Sequence, residues 1–211
     1  MRIVKSADER KGEILDVAEQ LFAEKGFDNA STNDIIKKIG IARGTLYHHF
    51  KSKEEILDAI VERMMNDSIA RARAIIKDKT IPIFERLTGS MLVLNINSGV
   101  GAEVLEQMHK PQNALLHQKM QEGLLSGVVP LIAELIEEGN KEKIFNTKYP
   151  LDAAEMIMIY SSSAFDDLLE LSPEEKERKT KAFIYHTERL LGAKENSLAK
   201  SIMNIILKEQ N

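Results

Sequence analysis

Cysteine is absent from the 211 residues. That excludes disulfides, thiolate zinc sites, iron–sulfur clusters and a cysteine nucleophile. Proline (5) and glycine (11) are both scarce, which argues against an all-β chain built from tight turns. No apolar run approaches the roughly eighteen residues of a membrane-spanning helix; the longest, Val128 to Ala133, has six and contains Pro130. The opening Met1-Arg-Ile-Val-Lys-Ser-Ala-Asp-Glu-Arg10 has no apolar core of the secretory-signal type. The expectation is a cytoplasmic protein with no membrane partner. Apolar residues at 43% and charged residues at 29% fit a globular chain of one or two domains rather than a disordered one.

A net charge of −4 is unpromising for a nucleic-acid partner, but the average hides a split. Residues 1–53 carry ten Lys/Arg against eight Asp/Glu; residues 54–211 carry nineteen against twenty-five. The sharpest local feature is Ile35 to Lys53, with Lys37, Lys38, Arg43, Lys51, Lys53, His48 and His49 and no acid at all. Attraction to phosphate follows such local charge rather than the total.

Helical periodicity runs through the chain, predicting nine or ten helices and an all-α fold. Ser6-Ala-Asp-Glu9 is a capping box. Behind it Ile14, Val17, Ala18, Leu21 and Phe22 make one apolar stripe, and Gly26 is placed to end the helix in the left-handed conformation. Ser31 or Thr32 caps a short second helix with Ile35, Ile36 and Ile39 inward. Arg43 to Phe50 reads as a third. Ser52-Lys-Glu-Glu55 is a second capping box, opening a helix to about Lys77. Further helices are expected from Pro82 to about Asn97, Ala102 to His109, Gln112 to Glu138 with a kink at Pro130, Asp152 to Glu170, Pro173 to Leu191, and Glu195 to Lys208. Gly139 to Tyr149 reads as a loop.

Thr32–Ile39, the turn Gly40-Ile41-Ala42 and Arg43–Phe50 have the spacing of a helix-turn-helix. At about 100° per residue, Leu46 and Phe50 face inward, while Gly44, Thr45 and His48 share the opposite face, flanked by Tyr47 and His49. That face is polar, aromatic and cationic, which suits a major groove. Arg43 can donate bidentately to guanine and Thr45 can meet several base edges. Gly44 permits close approach, Tyr47 and His49 can donate to phosphates, and Lys53 in the next helix's first turn can clamp one. Taken singly, a surface tyrosine or a histidine pair is ordinary; their combination with the caps and the turn glycine is what carries the reading.

The stretch from Ser31 to Glu55, above all Gly44-Thr-Leu-Tyr-His-His-Phe-Lys-Ser-Lys-Glu54, resembles the DNA-binding signature of TetR/AcrR-type transcriptional regulators, and the likeness covers roughly residues 8–57. The resemblance implies a homodimer, each subunit with a three-helix head and a larger helical body that binds a small molecule. It implies domains 1–51 (DNA-binding) and 52–211 (ligand binding and dimerisation), with Thr32, Arg43, Gly44, Thr45, Tyr47, His48, His49 and Lys53 at the DNA-contacting places. The expected function is a sequence-specific repressor released from a palindromic operator on double-stranded DNA by an unidentified small-molecule effector. Ala42 departs from the family's usual Ser or Thr; loss of such a cap costs about 1 kcal/mol. Ala42 and the acidic total charge leave open an alternative, a small-molecule-binding helical protein without operator binding.

The body contains no catalytic constellation, so no enzyme is expected. Gly99-Val-Gly101 lacks the third glycine of a dinucleotide fingerprint. His109 and His117 read better as two ordinary histidines than as a metal pair, and no cofactor or metal is implied. By position and polarity, Met91, Asn95, Met108, His117, Met120 and Met156 are candidates to line the effector pocket. Met156-Ile-Met-Ile-Tyr160 is apolar on every side of its helix, so it must be buried on more than one side. A second subunit is one cover, continued by Phe165, Leu168, Phe183, Leu190 and Leu191; the final helix is the other.

Overall fold

A computed structural model describes residues 5–94, 110, 114–165 and 171–209. Among them are nine helices and no strand: α1 (Ala7–Lys25), α2 (Thr32–Ile39), α3 (Arg43–His49), α4 (Lys53–Lys77), α5 (Ile83–Leu94), α6 (Ala114–Lys141), α7 (Pro150–Ala164), α8 (Pro173–Leu191) and α9 (Ser197–Glu209). The helix expected at 102–109 lies outside the described residues. No helix among them is long and apolar enough to cross a membrane. The chain forms two compact units. One comprises residues 1–66 with 96–120, the other residues 67–95 with 121–211.

In the first unit the local signals decide where helices start. Ser6 Oγ accepts from the Glu9 N–H at 3.2 Å, and the Glu9 carboxylate accepts from the Ser6 N–H at 2.7 Å. Ser31, not Thr32, caps α2, and its reciprocal partner is Asp34. The Ser31 hydroxyl and N–H hold the Asp34 carboxyl down at about 2, with help from Lys25. At α4 the Ser52 hydroxyl caps Glu55 as expected, but the Glu55 carboxylate takes the Lys51 N–H rather than that of Ser52. Gly26 has the expected positive φ of 81°, yet its ψ of 148° sends the chain off extended instead of left-handed helical. Gly40, at φ 74° and ψ 34°, is the true left-handed turn residue.

The stripe of α1 closes against α2, α3 and the first half of α4. Ile14, Ala18, Phe22, Ile35, Leu46, Ile56 and Ile60 are all fully buried there. Ile41 packs half-buried against this core, plugging the helix-turn-helix corner. Arg63 on α4 donates to Asp16 (2.6 Å) and Glu19 (2.8 Å) on α1, fixing the two helices together.

The second unit is built around Leu87, Val128, Ile132, Ile136, Ala154 and Leu191, every one without solvent exposure to speak of. Within it lies a buried ion pair. Arg86 is 3% exposed, and its guanidinium donates to both oxygens of Glu138 (2.6 and 3.2 Å) and to the Ile76 carbonyl (3.1 Å). Among the described residues the Arg86 Nε–H has no hydrogen-bond partner.

Several expected boundaries move, each for a local reason. α6 runs through Pro130 and on past Gly139 to Lys141. Gly139 is a packing residue rather than a stop: a Cβ there would lie 2.1 Å from the Phe145 ring. Asp152, the expected first residue of the next helix, is not its start. α7 starts two residues earlier with Pro150 in its first turn, where a missing N–H costs nothing, and it ends at Ala164. α8 keeps its expected start and stop, a Ser172–Glu175 capping box and left-handed Gly192. α9 begins at Ser197 because buried Glu188 supplies its cap from a distance: the carboxylate accepts from the N–H groups of Asn196 (2.9 Å) and Leu198 (2.8 Å).

Candidate nucleic-acid interface

α3 is short, seven residues, and its own hydrogen bonds would not hold it in water. Side-chain anchors do. Leu46 is completely buried and Phe50 is 2% exposed, so the helix is pinned along one edge and its opposite edge must face outward. Arg43, Gly44 and His48 are exposed there, with Thr45 half-buried beside them. Ala42 supplies no side-chain cap, as its methyl requires.

The flanks are more organised than the sequence indicates. The Tyr47 hydroxyl lies 3.2 Å from the Thr32 hydroxyl at the start of α2. The Arg43 guanidinium sits 5.4 Å from the Tyr47 ring centroid. Thr32 and then Arg43 draw the Tyr47 phenol below its usual pKa by favouring the oxyanion. His48 and His49 meet edge to face at 5.3 Å. His49 is held below the ordinary histidine value, first by burial, then by the positive charge of His48, Arg10 and Lys11. Arg10 and Lys11 thus bring the first turns of α1 into the same cationic neighbourhood. Nothing in local sequence spacing links them to α3.

Lys53 occupies a different place from the one its sequence position suggests. Its ammonium donates to the carbonyls of Phe27 (2.6 Å) and Ala30 (3.1 Å) and stands 4.2 Å from the Phe27 ring centroid. It ties the connection between α1 and α2 to α4. Lys51 donates to the Tyr47 carbonyl at 3.2 Å, and Lys38 pairs with Glu24 at 3.4 Å. Asp28, on the same connection, accepts from Lys110 at 2.9 Å.

The pocket and interface candidates divide. Met91 is half-buried against the core. Asn95, Met108 and Leu168 lie outside the described residues, as do the side chains of His117 and Met120 on α6. Met156 is 59% exposed on the outer face of α7, so it does not line an interior pocket. Leu191 is fully buried inside its own unit, because the chain turns under it at Gly192; it is not available to a partner. Leu190 is half-buried. By contrast, Ile159 and Tyr160 are about half exposed at 51% and 46%, while Ile157 and Met158 between Met156 and Ile159 face the core. Tyr160 stacks on Phe183 at 5.7 Å, and Phe165 meets the same ring edge-on at 5.6 Å. α9 packs on α5 and α8, and Met156, Ile159 and Tyr160 stay about half exposed with it in place.

Comparison with known proteins bears on both units. The family model for bacterial regulatory proteins of the tetR family matches residues 14–60, and that for the tetracyclin repressor-like C-terminal domain matches residues 96–186. A curated relative, the HTH-type transcriptional repressor KstR2 of Mycobacterium tuberculosis, is 40% identical over 88 residues, which is 42% of this chain and 44% of that protein. The chain's match thus spans less than half the length of this relative. Among solved structures, a transcriptional regulator from Cytophaga hutchinsonii superposes with a TM-score of 0.61 at 17% identity, covering 85% of this chain and 95% of that one. The reduced form of NemR from E. coli gives 0.58 at 18% identity, covering 89% and 99%. These structures share the fold. The two family models between them take in more than half of the sequence, and one of them spans the helix-turn-helix just described: the chain belongs to the tetR family of bacterial regulatory proteins.

Proposed function

We propose that the protein is a transcriptional repressor that binds a palindromic operator on double-stranded DNA as a homodimer in the cytoplasm and releases it on binding a small molecule. Residues 1–51 do the DNA binding; residues 52–211 dimerise and take the effector. The observation that carries this reading is α3: pinned by Leu46 and Phe50, it turns Arg43, Gly44, Thr45 and His48 outward in a stretch of nineteen residues without one carboxylate. Arg43 and Thr45 read base edges. Thr32, Tyr47 and His49 contact phosphates and set the register, as contacts to the backbone do. Lys53 supports them by holding the connection that leads into α2. The effector acts by population shift, favouring a spacing of the two recognition helices that does not match successive major grooves.

Selection from randomised duplexes tests the reading. Enrichment of an inverted repeat is expected, followed by an affinity loss of roughly a thousandfold or more between about 50 and 200 mM salt. The uncapped α3, with Ala42 at its start, favours the alternative of a helical small-molecule binder without operator activity; no enriched sequence would decide for that alternative.

The outward row Met156, Ile159 and Tyr160, continued by Phe165 and Phe183, forms the dimer face. Met156→Glu puts a charge into that row. Sedimentation should then find monomer at concentrations where the parent protein is dimeric. A variant that stays dimeric would place the interface elsewhere.

A further inference from the structure

The constellation of Thr32, Tyr47 and Arg43 goes beyond three separate DNA contacts. Resting on the function proposed above, we infer that Tyr47, locked by Thr32, is a positioning residue that sets the base preference of Arg43. Three observations meet here. The Tyr47 hydroxyl is 3.2 Å from the Thr32 hydroxyl, fifteen residues away on another helix. The Tyr47 ring is itself half-buried and packs against the core of its unit. The Arg43 guanidinium is parked over the ring's face, 5.4 Å from its centroid.

The physical consequence follows from what each group has free. An exposed arginine in the first turn of a short helix is ordinarily free to sweep through many rotamers. A guanidinium lying on an aromatic face keeps its edge N–H groups available, because the attraction uses the plane and not the donors. Those edge donors are the ones that pair bidentately with the O6 and N7 acceptors of guanine. The ring can act as such a platform only if it is fixed. Core packing fixes its body, and the Thr32 hydroxyl fixes its tip. α2 thereby influences which base α3 reads without touching that base.

The experiment is duplex selection with sequencing, run on the parent protein and on Arg43→Ala, Tyr47→Leu, Tyr47→Phe and Thr32→Val. Arg43→Ala should erase a guanine preference at one position in each half-site, a change of about tenfold or more. Tyr47→Leu, which keeps apolar packing but removes the aromatic face, should weaken preference at that same position by a factor of about two to five, leaving the other positions unchanged. Tyr47→Phe and Thr32→Val should resemble each other, both keeping the platform but loosening its tip. Thermal melts confirm that each variant is folded. A uniform loss of affinity in Tyr47→Leu, with the base preference at every position intact, would reduce Tyr47 to a phosphate contact and overturn the inference. An unchanged preference in Arg43→Ala would overturn it as well. If the parent protein enriches no sequence, the functional reading fails and this inference fails with it; enrichment without the linked change defeats the inference alone.

Discussion

Glu138→Ala should cost about 3–5 kcal/mol, because it strands a buried guanidinium rather than merely removing a surface charge. Arg86 is 3% exposed and, among the described residues, already carries one N–H without a partner. Taking away the Glu138 carboxylate removes two more of its acceptors and, among the described residues, leaves it the Ile76 carbonyl. In a chain of this size such a loss lowers the melting temperature by roughly 10 °C. Replacing both partners at once, Arg86→Met with Glu138→Leu, should recover most of the loss, since no charge is then left buried. Urea denaturation of the three variants decides the matter. A cost under about 1 kcal/mol for Glu138→Ala would mean that water reaches the guanidinium.

The same pair gives stability a pH dependence. The Arg86 guanidinium, aided by Lys79, draws the Glu138 carboxyl from its ordinary 4.5 down to about 2. A group whose pKa is lower folded than unfolded adds stability above its unfolded value and loses it as the pH falls through the folded one. The contribution, on the order of 3 kcal/mol, is therefore complete above about pH 4.5 and disappears between there and about pH 2. Stability of Glu138→Ala should be flatter across that window than stability of the parent protein.

Leu46→Ala should be nearly as costly and should strike function at the same time. The side chain is wholly buried between α1, α2 and α4, and truncating such a leucine costs about 2–5 kcal/mol. α3 has seven residues, no side-chain cap and few other anchors. Its outward face is defined only while Leu46 and Phe50 hold its inner one. Operator binding should fall by far more than it does for Gly12→Ala, a change in open space on α1. Anisotropy titrations at a temperature where Leu46→Ala is still mostly folded separate the two effects. Operator affinity equal to that of the parent protein would show that α3 does not need this anchor to present its face.

How much of this could be read from the sequence depends on distance along the chain. Ser6 with Glu9 and Ser172 with Glu175 are three residues apart, and each pair forms a reciprocal cap where the sequence signals a helix start, whereas the sequence left Ser31 and Thr32 open as the α2 cap and the structure pairs Ser31 with Asp34. The inward turn of Leu46 and Phe50 follows from helical period alone. Long-range partners left no such trace. Arg86 and Glu138 are 52 residues apart, and an arginine in an amphipathic segment reads as a surface residue. Lys53 reaches back 23 and 26 residues to two carbonyls, a contact with no residue-type signature at its far end. Gly139 was ambiguous in kind: a glycine near a helix end signals a stop, whereas here it admits the Phe145 ring. Leu191 falls inside its own unit, and Met156 falls on an outer face rather than in a pocket. An apolar stretch says that a helix is buried on several sides, but it does not say which side meets its own core.

The distribution of the four tyrosines has a practical optical consequence. The chain has no tryptophan, so tyrosine dominates its near-ultraviolet emission. Tyr149, Tyr160 and Tyr185 all belong to the second unit and are exposed at 69%, 46% and 50%. Tyr47 alone belongs to the first, at the face proposed to meet the groove. Substituting phenylalanine for the other three would leave a single native fluorophore at that face, and its quenching by nucleobases would report DNA engagement without any attached dye.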